Sequence, residues 1–283
     1  MIEVVRSTPK AHRLNQNGEC VQLVALREGR PVFSVLTGVD RRFVREAGER
    51  QGWFAFAEGA DDPEAARALT AAAAAFQRSM GMERLVGPVP SDGRFQPGLK
   101  VEGADAAPHL DSLLTNCGFS VLREYRAFRI PPGGLPGMGQ AASRARSVHG
   151  ASVRRERFTR ASCRAVYDLY APHRLSFDEF TAWLFDMRPF ELYIASIRGA
   201  DAGFALVRRE GVVRRVETVM VAPRFQRGPA LLCLLDALES RLGRVTLTGA
   251  IDSENTPSLA VARALGGQEC ELWREYLLNL IKN

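Results

Sequence analysis

The sequence lacks paired cysteines, metal-binding spacings and long apolar runs. Its five cysteines are scattered singly along 283 residues, and no two are separated by two residues, which favours reduced thiols over a disulfide framework or a zinc site. The four histidines show no metal-ligand spacing either. No apolar run reaches the length of a membrane-spanning helix, and the first residues lack the apolar centre of a signal peptide. We therefore expect a cytoplasmic protein with no metal and no membrane segment.

Basic residues are concentrated in one segment. Residues 131–164 carry the whole net charge of +6, since they contain seven arginines and a single acidic residue, Glu156. The arginines are Arg144, Arg146, Arg154, Arg155, Arg157, Arg160 and Arg164. Such a local excess fits a patch for nucleic acid or an acidic partner. It also fits a solvated linker and helix face, which is what we expect here, so a nucleic-acid partner is only the alternative.

The chain is long enough for two ordinary cores, given an apolar content of 46%. Between them we place the segment "PPGGLPGMGQAASRARSVHG", which is rich in Pro, Gly, Ala and Ser and has no clear periodicity. The predicted organisation is a domain at 1–130, a linker at 131–150 and a second domain at 151–283.

Each half alternates strand and helix patterns. The first half contains a hairpin around Gly29 and Arg30, and a helix capped by Asp62 that ends at Gly81. The second half contains three strand-like runs, a helix from Pro229 to Leu242, another strand, a helix from Pro257 to Leu265 and a final strand. Both halves are therefore predicted to be α/β.

Three stretches of the second half resemble the Gcn5-related N-acetyltransferase (GNAT) superfamily. "VETVMVAP" resembles its central strand, "QRGPA" its acyl-CoA pyrophosphate loop, and "DSENTPSLAVARALGG" the Asn and helix that follow the next strand. The first half, from "GWFAFAEGADDPEAARAL" to "NCGFSVLREYRAF", resembles a bacterial group of uncharacterised two-domain GNAT-like proteins. The resemblance implies an α/β fold of two GNAT-like domains in tandem, each a mixed central sheet flanked by helices. Only the second would carry a phosphate loop.

The resemblance also implies that acetyl-CoA or another acyl-CoA binds to the second half as co-substrate. The implied cofactor-binding residues are Met220, Val221, Arg224, Gln226, Arg227, Gly228, Ala230 and Asn255. The loop departs from the family pattern, because one residue is missing between Gln226 and Gly228. In addition, Pro229 lacks an N–H at the start of a helix, where such groups bind phosphate. Losing one donor costs about 1–3 kcal/mol of binding. Asn255 has the alternative of capping the last helix together with Thr256.

Two residues are candidates for acid–base chemistry. Glu217, on the strand that resembles the central one, is the implied general base. Its alternative is a cross-strand ion pair with one of the neighbouring arginines, which are Arg208, Arg209, Arg214 and Arg215. The family's acid is often a tyrosine, but Ala262 occupies that position. Tyr276 is the substitute we name, and its alternative is a packed strand aromatic.

The function that the resemblance implies is an acyl-CoA-dependent N-acyltransferase, and acetyl is the first acyl group that we expect it to transfer. It would act by direct transfer to the amine of a small molecule, a peptide or a carrier-bound intermediate. The first alternative is a catalytically silent GNAT-fold protein that binds a ligand or partner. The second is a Fem-type aminoacyl-tRNA-dependent transferase, which would give the arginine-rich segment an RNA to bind. A V-shaped opening between Val219–Val221 and the strand "RVTLTGAI" would favour a slot for the pantetheine arm. The sequence leaves the acceptor and the oligomeric state open.

Overall fold

The chain divides into two compact units. A computed structural model groups Met1–Tyr125 with Glu271–Asn283 as unit 1, and Arg126–Cys270 as unit 2. The residues it describes are 1–7, 19–39, 50–59, 62–89, 98–132, 138–169, 176–186, 190–226, 228–242 and 245–281. Within them, no helix combines the length and the apolar character that crossing a membrane requires.

The described residues alternate strands and helices along the chain. The strands are β1 (Ile2–Ser7), β2 (Cys20–Arg27), β3 (Arg30–Gly38), β4 (Gln51–Gly59), β5 (Arg84–Gly87), β6 (Leu99–Glu102), β7 (Ser120–Ile130), β8 (Ala151–Glu156), β9 (Phe190–Ile197), β10 (Ala200–Glu210), β11 (Val213–Val221), β12 (Leu247–Asp252) and β13 (Gln268–Asn279). The helices are α1 (Pro63–Ser79), α2 (Pro108–Asn116), α3 (Met138–His149), α4 (Arg160–Leu169), α5 (Phe177–Asp186), α6 (Ala230–Leu242) and α7 (Thr256–Ala264).

Unit 1 contains a mixed sheet in the order β1-β2-β3-β4-β5-β13, with β6 also paired to β13. The pair β4–β5 is parallel, whereas β1–β2, β2–β3, β3–β4, β13–β5 and β13–β6 are antiparallel. The predicted hairpin is present, and its turn lies at Glu28 and Gly29. Both residues have positive φ, 53° and 75°, as the favoured two-residue hairpin turn requires.

The helix predicted after Asp62 is α1. The Asp62 carboxylate accepts the backbone N–H groups of Glu64 and Ala65, both at 3.1 Å, and Pro63 is the first helical residue. The apolar side of α1 packs into the core of unit 1, where Leu69 meets a cluster that includes Phe54 and Leu85. The cap and the apolar stripe are both local in sequence, which is why this helix was predictable.

Unit 2 contains a mixed sheet in the order β7-β12-β11-β10-β9-β8. The pairs β8–β9, β9–β10 and β10–β11 are antiparallel, and β11–β12 is parallel. Helix α6 begins one residue later than predicted and buries Ala230, Leu234 and Leu238 against Tyr193 and Val207 of this sheet.

Two strands change unit along their length. Residues of β7 from Arg126 onward belong to unit 2, and residues of β13 from Glu271 onward belong to unit 1. The sequence patterns predict each of these strands within its own half instead. Strand partners are set by contacts between residues distant in sequence, so the pattern within a strand does not reveal them. The limits 1–130, 131–150 and 151–283 stay a prediction about independently folding domains.

Helix α3 lies within the segment predicted to be a linker. Met138, Ala142 and Ala145 are buried in unit 2, and their spacing of four and three residues places them on one face of a helix. The preceding Pro and Gly residues masked this short amphipathic pattern in the sequence analysis.

Candidate functional site

In unit 2 the parallel strands β11 and β12 stay paired over only a short length. The pairs are Arg214 with Leu247 and Arg215 with Thr248. A Cβ on Gly249 would lie 3.2 Å from the carbonyl oxygen of Val216, so the strands are still close there. Beyond this point β11 continues to Val221 and β12 to Asp252. The pairs thus end four residues before Val219, and a slot for the pantetheine arm at Val219–Val221 stays a prediction.

A β-bulge lies on β11 at the same level. Leu206 of β10 pairs with Thr218, whereas Val207 pairs with Val216, so Glu217 is the extra residue. Bulges bend a strand and redirect the side chain of the inserted residue, and they are frequent next to active sites.

The redirected side chain of Glu217 forms an ion pair with Arg208. The Arg208 Nε lies 3.2 Å from Glu217 Oε1, and the two side chains are 14% and 2% exposed. The Arg208 guanidinium also lies over the ring of Phe190, 4.9 Å from its centroid. The structure therefore contains the cross-strand ion pair that the sequence offered as the alternative. A catalytic role for Glu217 stays a prediction.

The loop between β11 and α6 uses three of its own amides internally, those of Phe225, Gln226 and Gly228. A single 3-10 turn spans Pro223–Phe225, and the N–H of Gly228 then donates to the carbonyl of Phe225 at 2.9 Å. The helical ladder begins where Cys233 N–H donates to Pro229 at 2.9 Å. Gly228 is one of the predicted cofactor-binding residues, but its N–H is turned into the loop, and Pro229 has none. The first-turn amides of α6 are the donors left to an anion.

The other predicted cofactor-binding residues of this region surround the same loop. Met220 and Val221 are half-buried on β11, whereas Arg224 and Gln226 are exposed. The guanidinium of Arg224 lies 4.8 Å from the ring centroid of Phe225. Ala230 is completely buried and packs into the core of unit 2. Arg227 lies outside the described residues.

No protein-family model and no curated protein matches the chain, but solved structures do. A tandem GNAT protein from the clavulanic acid biosynthesis pathway, without acetyl-CoA, is 14% identical with a TM-score of 0.61, covering 95% of this chain and 85% of that one. The chain has the tandem GNAT fold. A GCN5-related N-acetyltransferase from Sphaerobacter thermophilus is also 14% identical, with a TM-score of 0.60 and coverages of 94% and 82%. A conserved protein of unknown function from Enterococcus faecalis V583, a probable N-acyltransferase, is 9% identical with a TM-score of 0.58 and coverages of 99% and 73%. The predicted fold class is confirmed, and identities this low show the fold alone.

In this GNAT fold, Asn255 is the N-cap of α7. Its side-chain oxygen accepts the backbone N–H of Ser258 at 3.2 Å. Thr256, predicted to be part of the cap, is instead the first helical residue. The structure thus contains the capping contact, and binding of a cofactor by Asn255 stays a prediction.

Tyr276 is a core residue of unit 1. It is completely buried, and its hydroxyl donates to the carboxylate of Asp111, which also accepts from Arg274 at 3.0 Å. Burial raises the pKa of Tyr276, which makes its hydroxyl a weaker acid. This geometry gives no support to an acid role. It matches the packed strand aromatic named as the alternative.

The corresponding strand pair and helix start of unit 1 are occupied by contacts within the chain. Its parallel pair runs from Gln51–Arg84 to Trp53–Val86, and contact continues because the N–H of Val89 donates to Phe54 at 2.7 Å. At the start of α1, the first-turn amides already hold the carboxylate of Asp62, and Arg27 pairs with this carboxylate at 2.9 Å. The chain's own carboxylate occupies the helix end that a phosphate would use.

Most of the clustered arginines have acidic partners. Five of the seven form ion pairs, which are Arg146–Asp236, Arg154–Asp201, Arg155–Glu191, Arg160–Asp178 and Arg164–Asp168. Folding therefore reduces the local charge excess that the sequence shows. In the part of the chain that the structure describes, no group of three or more His, Cys, Asp or Glu side chains could hold a metal ion.

Proposed function

We propose that this chain is an acyl-CoA-dependent N-acyltransferase whose unit 2 binds the cofactor. The observation that carries the proposal is the early end of the β11–β12 pairing, at Arg215 and Thr248. Strand β11 leads directly into the loop and the N-terminus of α6. A slot between strands suits an extended arm, and a helix N-terminus suits its pyrophosphate. The tandem GNAT fold supports the same reading.

The chemistry would be direct transfer from the thioester to an amine. The amine nitrogen forms a bond to the thioester carbon, the carbon–sulfur bond then breaks, and the departing thiolate takes up a proton. Backbone N–H groups of β11 that face β12 near Met220 and Val221 would polarise the carbonyl. Glu217, acting through water, is the candidate base for the amine proton. Acetyl is the acyl group to test first, on a small-molecule, peptide or carrier-bound amine.

A calorimetric titration with acetyl-CoA tests the proposal. Gly228→Asp places a negative charge beside the pyrophosphate site, and its Cβ meets only the Phe225 carbonyl, at 3.2 Å. The control, Ser152→Asp, adds the same charge at an exposed position of β8. We expect saturable binding that Gly228→Asp weakens about tenfold or more and Ser152→Asp leaves unchanged. Absence of binding to acetyl-CoA and to longer acyl-CoAs at millimolar concentrations would overturn the proposal.

A catalytically silent GNAT-fold protein is the second candidate, and the loop favours it. The Gly228 amide is already bonded and Pro229 has none, so the anion loses two donors. A thiol-release assay over a panel of amines, run at saturating acyl-CoA, separates the candidates. Acceptor-dependent release of free thiol supports the transferase. Binding without release over the whole panel supports the silent protein.

A further inference from the structure

A second charged centre lies on the sheet of unit 2, away from the loop. Glu191 of β9 faces three guanidinium groups from three other strands, those of Arg155, Arg209 and Arg214. The hydroxyl of Tyr193 donates to the same carboxylate at 2.8 Å. We call these five residues the Glu191 cluster.

The three arginines do not form close hydrogen bonds with Glu191. Their shortest distances to its oxygens are 3.5 Å for Arg155, 3.6 Å for Arg209 and 4.0 Å for Arg214. Other pairs in this chain are much closer, with Arg154–Asp201 at 2.7 Å and Arg160–Asp178 at 2.9 Å. Charge-assisted hydrogen bonds normally fall at about 2.7–2.9 Å. Glu191 therefore attracts the three guanidinium groups by charge, without close hydrogen bonds to their N–H groups.

Arg214 adds an unsatisfied donor. One of its terminal nitrogens donates to the carbonyls of Gly211 and Val213, at 3.3 and 3.1 Å, which fixes the side chain. Its Nε is buried and has no hydrogen-bond partner among the described residues. Buried donors nearly always have a partner in protein, water or ligand. The Nε of Arg214 faces Glu191 Oε1 at 4.0 Å, which is too far for a hydrogen bond, so this donor adds to the positive charge of the cluster without being used.

The charges of the cluster do not balance. Three guanidinium groups face one carboxylate, which leaves an excess of two positive charges. In addition, Arg209 lies directly opposite Arg214 across the β10–β11 pair, where like charges repel. Arg155 and Arg209 are 54% and 63% exposed, so a ligand from solvent can reach them. An incoming dianion would relieve the repulsion.

We propose that the Glu191 cluster binds a phosphate group. A phosphate dianion matches the excess charge, and its oxygens suit the planar fork of arginine. Glu191 opposes the anion by charge while holding the three arginines together, so it limits the affinity. The phosphate could be free, could belong to a nucleotide, or could belong to an RNA backbone. The site does not depend on the proposed acyltransferase function.

The test is a calorimetric titration of the full chain with inorganic phosphate, with chloride replaced so that ionic strength stays constant. The variant Arg155→Gln/Arg209→Gln removes two exposed members of the cluster. The control Arg160→Gln/Arg164→Gln removes the same charge from α4, where both side chains are also exposed. We expect phosphate binding that the first variant weakens about tenfold or more and the control preserves. No phosphate binding, or equal weakening in both variants, would overturn the site.

A single substitution tests the role given to the carboxylate. Glu191→Gln removes the negative charge while keeping the size of the side chain, so we expect it to bind phosphate more tightly than the wild type. Weaker binding by a variant with native circular dichroism would contradict the opposition between Glu191 and the anion.

Two further titrations identify the source of the phosphate. A nucleoside monophosphate and a single-stranded RNA oligonucleotide are each titrated over a series of salt concentrations. RNA binding that is tighter, steeply salt-dependent and lost in Arg155→Gln/Arg209→Gln indicates an RNA backbone. Equal affinity for both indicates a single phosphate group. RNA binding that survives in this variant excludes the cluster as an RNA site.

Discussion

Replacing Glu217 with Gln should destabilise unit 2 more than any surface substitution. The variant keeps the shape of the side chain but removes the carboxylate charge that Arg208 pairs with. At 3.2 Å and an effective dielectric constant of 20, the lost attraction is about 5 kcal/mol. Desolvation of both charges offsets part of that attraction in the wild type. Removing one partner of a buried pair costs about 3–5 kcal/mol, which is the loss we expect.

Hydrogen exchange of the β10 and β11 peptides, measured under native conditions, reports this loss within unit 2. The matched control is Glu210→Gln, which breaks the pair with Arg215 on the same two strands. The Glu210 side chain is 29% exposed against 2% for Glu217, so the cost should be smaller than for Glu217→Gln. The double variant Arg208→Met/Glu217→Gln should recover most of the loss, because both charges of the buried pair are then removed together.

Two results would refute this reasoning. One is a loss below about 1 kcal/mol for Glu217→Gln, comparable to a surface pair. The other is a double variant less stable than Glu217→Gln alone. The same variant also bears on catalysis. If Glu217 is the base, turnover per folded molecule falls as well, and it does not recover in the double variant.

Three further predictions concern unit 1. Asp62→Ala should cost about 1 kcal/mol by removing the cap. A backbone N–H of α1 lowers the pKa of Asp62. The stability that the cap contributes is therefore present above about pH 4 and is lost as the pH falls through the lowered pKa. Urea unfolding of the wild type and of Asp62→Ala between pH 7 and 3 checks this. Gly52→Ala would put a Cβ 1.9 Å from Gln77 Oε1 and should cost about 1–3 kcal/mol in urea unfolding. Gly139→Ala, whose Cβ meets nothing closer than 3.6 Å, should cost nothing; equal losses would contradict the packing argument. Tyr276→Phe should cost about 1 kcal/mol and leave turnover per folded molecule unchanged, and a turnover defect in a steady-state assay would restore its acid role.

Features fixed by neighbouring residues could be predicted from the sequence. The cap of α1 by Asp62 and the hairpin at Glu28 and Gly29 each depend on a few adjacent residues. Helix α6 was placed to within one residue, since Pro229 and an apolar stripe mark its start. These features require no knowledge of distant partners.

Features fixed by distant residues could not be predicted. Nothing within "ELWREYLLNL" shows that Tyr276 lies opposite Gly87 of unit 1. Of the two N–H donors that the loop does not offer to an anion, the sequence predicts only one. Pro229 has no N–H, whereas the bond from Gly228 to Phe225 depends on the 3-10 turn.

For each candidate site residue the sequence predicts a functional role and a structural alternative, and it does not decide between them. The sequence named Arg208 among four possible partners of Glu217, and the bulge decides which one is close. The Glu191 cluster went unnoticed, because its members come from four strands. Its sequence signal is the repeated Arg-Arg pair in "SVRRER", "ALVRRE" and "VVRRVE".

The most direct test of the central claim is hydrogen exchange of the full chain with and without saturating acetyl-CoA. The claim is that unit 2 alone holds the cofactor, between β11, β12 and the start of α6. It predicts slower exchange in peptides covering 216–221 and 230–233, and no change in the β4 peptide 51–59. Protection of β4, or no protection at β11 and α6 at an acetyl-CoA concentration that saturates binding, would contradict it.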